Sequence, residues 1–570
     1  MSLLYRNITE LQRVQAERLG PAVALRFKQH GIYHDLTWHD YREQSLAAAA
    51  ALVEAGVEFG DRMGLVSENR VEWLIADMAI LAAGAVNVPP HAPLTAEQIR
   101  FQLQDAGVSW LFVSGAGQLD KARSFARSLP ALRGIVVFDP LCAADDVVSW
   151  RTFLQRGRRA LPDVEAELRK RDGLQQHDTL ATIIYTSGTT GNPKGVMLTH
   201  GNLLSNSRAM LSASPLRPGD VLLSWLPYSH IYARTVDHYV RLLGGSTVAL
   251  AESPETVVQN LEEIQPTHLT AVPRFYEKVL TAVSSGDEAK TSRRLRKIFG
   301  PRVDWLSSGG APLPVAVAQA YHAAGLLLLQ GYGLTETSPV ISFNRKDRYK
   351  LETVGPPLDG VEVRIADDGE ILTRGPHVMP GYWNNPTATA ETIRDGWLHT
   401  GDLGCIDDDG FLKITGRKKE LLVLSNGKKV APNHVECLLH ADPCIDQVVV
   451  CGEGRNYLTA MVVPQWTNVR AELARRDEKI GALSPQELAR HPAVCELLRE
   501  RIDAALTHVS GCEQIRKFQV LAEPFSVANE ELTVSLKLRR AAIAKRYARI
   551  IEGMYAGAES DQDGGDTPVG

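Results

Sequence analysis

The chain lacks the cues of a disulfide scaffold. Seven cysteines in 570 residues, an odd number with no C-x-x-C pair, fit free thiols in a reducing compartment. Cys437, Cys444 and Cys451 recur every seven residues, but Pro443 breaks any helix between them, so the spacing does not describe a metal site. A membrane span is missing as well. The longest apolar stretch, residues 73–89, is interrupted by Asp77 and falls short of the roughly 18 residues a crossing requires. No early segment has the charged-then-apolar plan of a secretion signal. Surplus positive charge is absent too: 62 Lys and Arg stand against 67 Asp and Glu, a net charge of -5, which argues against nucleic acid as a main partner. A cytoplasmic protein is expected, with peripheral membrane contact left open by a basic segment near the C-terminus.

What is present is an ordinary globular composition, 44% hydrophobic and 23% charged, in a chain too long for one compact core. From residue 40 to about 350, helical-period segments such as 41–55 alternate with short apolar runs at 63–66, 110–113, 134–138, 221–225 and 246–250. That alternation predicts layered α/β subdomains with largely parallel sheets. Beyond Gly355 the pattern turns to short strands at 361–365, 370–373 and 411–414 with Gly turns, a small β-rich subdomain. After Gly416 it changes again: a helix opened by Pro432, a hairpin from 447–451 and 458–463, a helix over 491–508 and a basic helix over 538–551. These describe a separate α+β C-terminal domain. The tail 556–570 has no Lys or Arg and is rich in Gly and Asp, a composition that predicts disorder. The expected division is 1–416, a hinge at 417–420, 421–555 and the tail.

One segment carries the most chemistry. Thr186, Ser187, Gly188, Thr189, Thr190 and Gly191 precede Lys194 and Gly195, so converging backbone N–H groups, hydroxyls and one ammonium can hold an anion. It is not a Walker A loop, because Lys194 is followed by Gly195 and an apolar run instead of a helix start. The order reads strand, loop, strand, with a helix beginning near 199–202. Four further segments recur in order: Gly309, Gly310 and Ala311 after an apparent strand; Gln330, Gly331, Tyr332, Gly333, Thr335 and Glu336 after the run 326–329; Asp402 after Gly401; and Arg417 with Lys419. A last one, 532–540, contains Lys537. His230 lies in the segment 225–234.

Together these motifs resemble the adenylate-forming enzymes, which include acyl-CoA synthetases, luciferases and peptide-synthetase adenylation domains, over nearly the whole chain. The resemblance implies ATP, Mg²⁺ and coenzyme A as cofactor and substrates. It implies that residues 186–191 and Lys194 bind phosphates, that 309–311 wall the adenine and that Gln330, Gly331 and Gly333 frame the nucleotide. It further implies that Tyr332 stacks on the base, Thr335 touches the α-phosphate and Glu336, with Thr190, holds Mg²⁺. Asp402 takes the ribose, Arg417 reaches the nucleotide, Lys419 is the hinge of a mobile lobe, His230 sits near the reacting carboxyl and Lys537 bridges carboxylate and α-phosphate. Details at 227–232, 266–268, 272–278 and 452–460 are similar to the long-chain fatty acyl-CoA synthetase branch. One departure is a short stretch between Lys278 and Leu306, and Leu536 stands where glycine is commoner. Medium-chain or aromatic acids, a carrier protein as acceptor, and a non-catalytic nucleotide-binding protein remain alternatives.

Overall fold

In the computed structural model, residues 5–142, 144–186, 193–474, 483–533 and 538–556 are described. They divide into two units: Met1–Thr400 with Cys405–Lys413, and Gly401–Gly404 with Ile414–Gly570.

The first unit is built on two eight-stranded sheets. One runs, in spatial order, through Val340–Phe343, Leu328–Gly333, Trp305–Ser308, His268–Ala271, Val221–Ser224, Thr247–Leu250, Val23–Gln29 and Ile32–Thr37. Its interior pairs are parallel and its two end pairs antiparallel. The other places Lys194–Thr199 and Leu180–Thr186 beside the parallel strands Val86–Val88, Arg62–Val66, Trp110–Val113 and Gly134–Val137. A single apolar core takes Leu25 and Val248 from the first sheet and Leu65 and Phe112 from the second. Helix Val71–Ala82 lies in that core, buried at every position but Glu72. This explains the apolar run without amphipathic period: a helix covered on all sides has no face to keep polar. Among the described residues no helix is long and apolar enough to cross a membrane.

Helix Trp38–Glu54 begins with a capping box between Thr37 and Asp40, and packs its alanine run on helix Trp150–Leu174. The approach is so close that a Cβ on Gly157 would lie 1.7 Å from the Ala47 carbonyl oxygen. The β-rich portion is a five-stranded sheet of Glu362–Ile365, Glu370–Arg374, Trp397–Ile406 and Ile393–Arg394, with Leu412–Arg417 paired to Trp397–Ile406.

In the second unit the expected hairpin is Ile445–Cys451 against Leu458–Pro464, extended by Ile515–Val520. Side chains alternate as a strand requires. Val448, Val450, Ala460 and Val462 meet the helices Pro432–His440 and Pro492–Ala505. Val449, Met461 and Val463 meet Ile543 and Met554 on the opposite face. The expected basic helix over 538–551 is instead two, Arg540–Arg546 and Ala548–Tyr555, separated at Tyr547. There the ring packs on Phe525 and the hydroxyl donates to Glu531 at 3.0 Å, so tertiary contacts override the helical period. The apolar side of both helices is used within this unit. No disulfide joins the seven cysteines, and no His, Cys, Asp or Glu cluster of three or more suits a metal among the described residues. The tail beyond Ala556 lies outside the described residues.

Candidate active site

The strands on either side of the 187–191 segment pair as the strand, loop, strand reading expects. Leu180–Thr186 and Lys194–Thr199 pair antiparallel, with Thr186 opposite Lys194, and helix His200–Ala213 starts at the N-cap Thr199, whose hydroxyl accepts from Asn202 N–H. This is strand, loop, strand, not strand, loop, helix. Ser187, Gly188, Thr189, Thr190 and Gly191 lie outside the described residues, as does Lys537.

Lys194 points its ammonium over the ring of Tyr382, 4.9 Å from the centroid. The Tyr382 hydroxyl donates to Glu336 Oε1 at 2.8 Å, and burial and the neighbouring carboxylate push the phenol pKa up. A lysine from the hairpin and a glutamate 142 positions later in the sequence therefore share one tyrosine. The backbone fixes both sides of this contact: Met379 N–H donates to the Glu336 carbonyl at 2.9 Å and Trp383 N–H to the Gly195 carbonyl at 2.7 Å. Tyr382 escaped the sequence reading, since an aromatic after Pro380-Gly381 has no local mark of function.

Thr335 and Glu336 sit in a short 3₁₀ turn, Thr335–Thr337. The strand before it runs through Gly333: Gly331 faces Phe343 and Tyr332 faces Ser342, with an irregularity before Gly333 meets Val340. A Cβ on Gly333 would lie 1.8 Å from the Pro339 carbonyl oxygen, so only glycine lets the strand reach the turn. Gln330 and Tyr332 are half-buried.

Gly309 is buried beneath Tyr232: a Cβ there would come within 2.8 Å of the ring. Gly310, with φ +82°, has nothing within 4 Å of its Cβ position, and Ala311 is exposed. The open side of this glycine pair is thus Gly310, not Gly309. His230 caps the turn Ile231–Ala233, its Nδ1 accepting from Tyr232 N–H at 3.2 Å. Its ring stacks with His91 at 6.2 Å, and His91 Nδ1 lies 2.7 Å from Ser229 Oγ.

In the second unit Arg417 Nε lies 2.9 Å from Asp402 Oδ1, so the expected ribose and nucleotide residues form an ion pair, with Asp402 buried. Lys419 is exposed in the turn Lys418–Glu420. A carboxylate held by one tyrosine beside a lysine suits a hard cation that takes its other ligands from phosphate and water, the habit of magnesium.

Residues 12–383 match the model of the AMP-binding enzyme family, and residues 419–559 that of the AMP-binding enzyme C-terminal domain. The chain belongs to the AMP-binding enzyme family. Among its AMP-binding relatives, the long-chain-fatty-acid–CoA ligase FadD15 of Mycobacterium bovis is 36% identical over 92% of this chain and 93% of that protein. The long-chain-fatty-acid–[acyl-carrier-protein] ligase AEE15 of Arabidopsis thaliana is 26% identical over 97% of this chain and 87% of its own length. The adenylation and carrier didomain of carboxylic acid reductase from Segniliparus rugosus, solved with AMP, superposes with a TM-score of 0.79 at 23% identity, covering 98% of this chain and 83% of that one. The last shares the fold: a large N-terminal and a small C-terminal domain of mixed α/β type.

Proposed function

We propose that this AMP-binding enzyme is an ATP- and Mg²⁺-dependent ligase that activates a long-chain fatty acid and passes the acyl group to coenzyme A. The carrying observation is the match to FadD15 along nearly the full length of both chains. The convergence of Lys194, Tyr382 and Glu336 supplies the chemistry that the match requires.

In the first step a carboxylate oxygen attacks the α-phosphorus in line and pyrophosphate leaves, giving acyl-AMP. Two anions must approach, so fixed cations and donors offset their repulsion. Lys194 and the 186–191 segment hold the leaving phosphates. Thr335 donates to the α-phosphate, Tyr332 stacks on adenine against Gly310, and His230 orients the carboxylate. Asp402 accepts from the ribose hydroxyls, and Arg417 both orients it and reaches the nucleotide. Lys537 bridges carboxylate and α-phosphate. Glu336 and Thr190 would hold Mg²⁺, whose charge neutralises phosphate oxygens. In the second step the thiol of coenzyme A attacks the acyl carbonyl and AMP leaves. The region 421–555 acts as a lid hinged at Lys419, so that one pocket serves both partners in turn.

Mass spectrometry of products from ATP, Mg²⁺, coenzyme A and acids of graded length tests this reading. Acyl-CoA and AMP from long-chain acids are expected; a preference for medium-chain or aromatic acids overturns the chain-length assignment. Acyl-AMP without acyl-CoA would favour the second reading, transfer to a separate carrier protein, for which the likeness to AEE15 speaks.

A further inference from the structure

Asp77, the residue that interrupts the apolar run, is fully buried and meets an equally buried Arg234, one turn after His230. The Arg234 guanidinium donates twice to this carboxylate, through Nη2 and, at 3.3 Å, through Nε. It also donates from Nη1 to Thr182 Oγ1 at 2.7 Å and from Nε to the Tyr239 hydroxyl at 2.9 Å, and Tyr239 donates on to Asp77 at 2.8 Å. Asn87 Nδ2 donates to the same carboxylate at 2.7 Å, and His238 Nδ1 lies 3.6 Å from it. Arg234 and Tyr239 are five residues apart, and the segment Arg234–Tyr239 is π-helical. Bonding from i to i+5 brings residues five apart onto one face, which an α-helix does not do, and such turns concentrate at functional sites.

This turn touches three motifs at once. Arg234 N–H bonds the His230 carbonyl at 3.1 Å. Thr182 belongs to strand Leu180–Thr186, which runs directly into the 187–191 segment. The next side chain, Thr235, donates to the Ser338 carbonyl at 2.9 Å, just beyond the Thr335–Thr337 turn that carries Glu336. A buried ion pair contributes little net stability compared with apolar residues of similar volume, so geometry is the better reason for its presence.

We propose that Arg234, Asp77 and Thr235 are positioning residues for adenylation: the π-turn yokes the His230 segment to the phosphate strand and to the Glu336 turn, setting the distance between reacting carboxylate and phosphate. The inference rests on the ligase reading above. It is distinct from that reading, because it concerns how variants differ from an active wild type.

The test is ATP–pyrophosphate exchange with hexadecanoic acid, alongside thioester formation from supplied hexadecanoyl-AMP and thermal unfolding. Arg234→Met combined with Asp77→Leu removes both charges at once and is expected to fold. Its exchange kcat is expected to fall about a hundredfold, the scale of a misplacement near one ångström, with KM for ATP changed far less and the thioester step less affected. Thr235→Val should lower exchange kcat at unchanged melting temperature, and Thr235→Ser should restore it. A folded double variant with wild-type kcat overturns the proposal. If the double variant does not fold, Thr235→Val at the wild-type rate overturns it. A wild-type enzyme inactive in exchange refutes the ligase reading instead.

Discussion

Acid should destabilise this protein from about pH 6.5 downward, because the first unit encloses histidines that resist protonation in place. His200, His238, His268 and His377 are each at most 2% exposed, and burial lowers their pKa values from 6.5 to about 3, 4, 2 and 4. In the unfolded chain they take up protons below about pH 6.5 while the folded state stays neutral, so unfolding is favoured as pH falls through that value toward 4. Between pH 7.5 and 5.5 the four together cost about 5 kcal/mol. Asp237 acts with the opposite sign. Burial, only partly countered by Thr270 and Arg241, raises its pKa to about 7, so the folded state binds its proton first and gains about 2 kcal/mol over the same interval. For these five groups together the net loss is about 3 kcal/mol by pH 5.5, rising to about 7 kcal/mol by pH 4.5, a large part of a typical folding free energy of 5–15 kcal/mol. Urea unfolding followed by tryptophan fluorescence at stepped pH measures it. His377→Gln should flatten the dependence by about one histidine's share. Stability that is constant or rises between pH 7.5 and 5.5 would refute the reasoning.

Gly157→Ala pits helix propensity against space. Propensity alone predicts a gain of about 1 kcal/mol, but the added Cβ would meet the Ala47 carbonyl oxygen at 1.7 Å, so we expect a loss of about 3 kcal/mol and a lower melting temperature; a stabilised variant would show the helices free to separate. Tyr382→Phe keeps the ring under Lys194 and removes the donor to Glu336, and about a tenfold drop in the adenylation rate is expected, the scale of one hydrogen bond to a charged group. Tyr382→Ala should fall further, and equal rates for the two would assign the ring no role. Lys537→Ala should abolish acyl-AMP formation yet leave thioester formation from supplied acyl-adenylate largely intact; loss of both steps together would remove the assigned role.

Features decided within a few neighbouring residues are legible in the order of amino acids alone. The hairpin that frames the phosphate segment follows from apolar runs on either side of a loop rich in Gly and Thr. The cap at Thr199 and the alternation of Val448 to Val450 between two faces likewise follow from local chemistry and the period of two. The buried helix Val71–Ala82 is visible as an apolar run but cannot be told from a mere core segment by its pattern, and its one buried charged residue, Asp77, has no local partner. Its partner is 157 positions away, and Tyr382 is 46 positions from Glu336. No propensity or period reports such pairs, because they exist only where the chain's path brings distant segments within hydrogen-bond reach. Tertiary structure also turned Gly309 toward Tyr232 and broke the basic C-terminal helix at Tyr547, where packing on Phe525 outweighs the helical period. Within a helix or a hairpin, backbone hydrogen bonding is satisfied by near neighbours and so is written locally. A buried charge finds its partner only when the whole core is assembled.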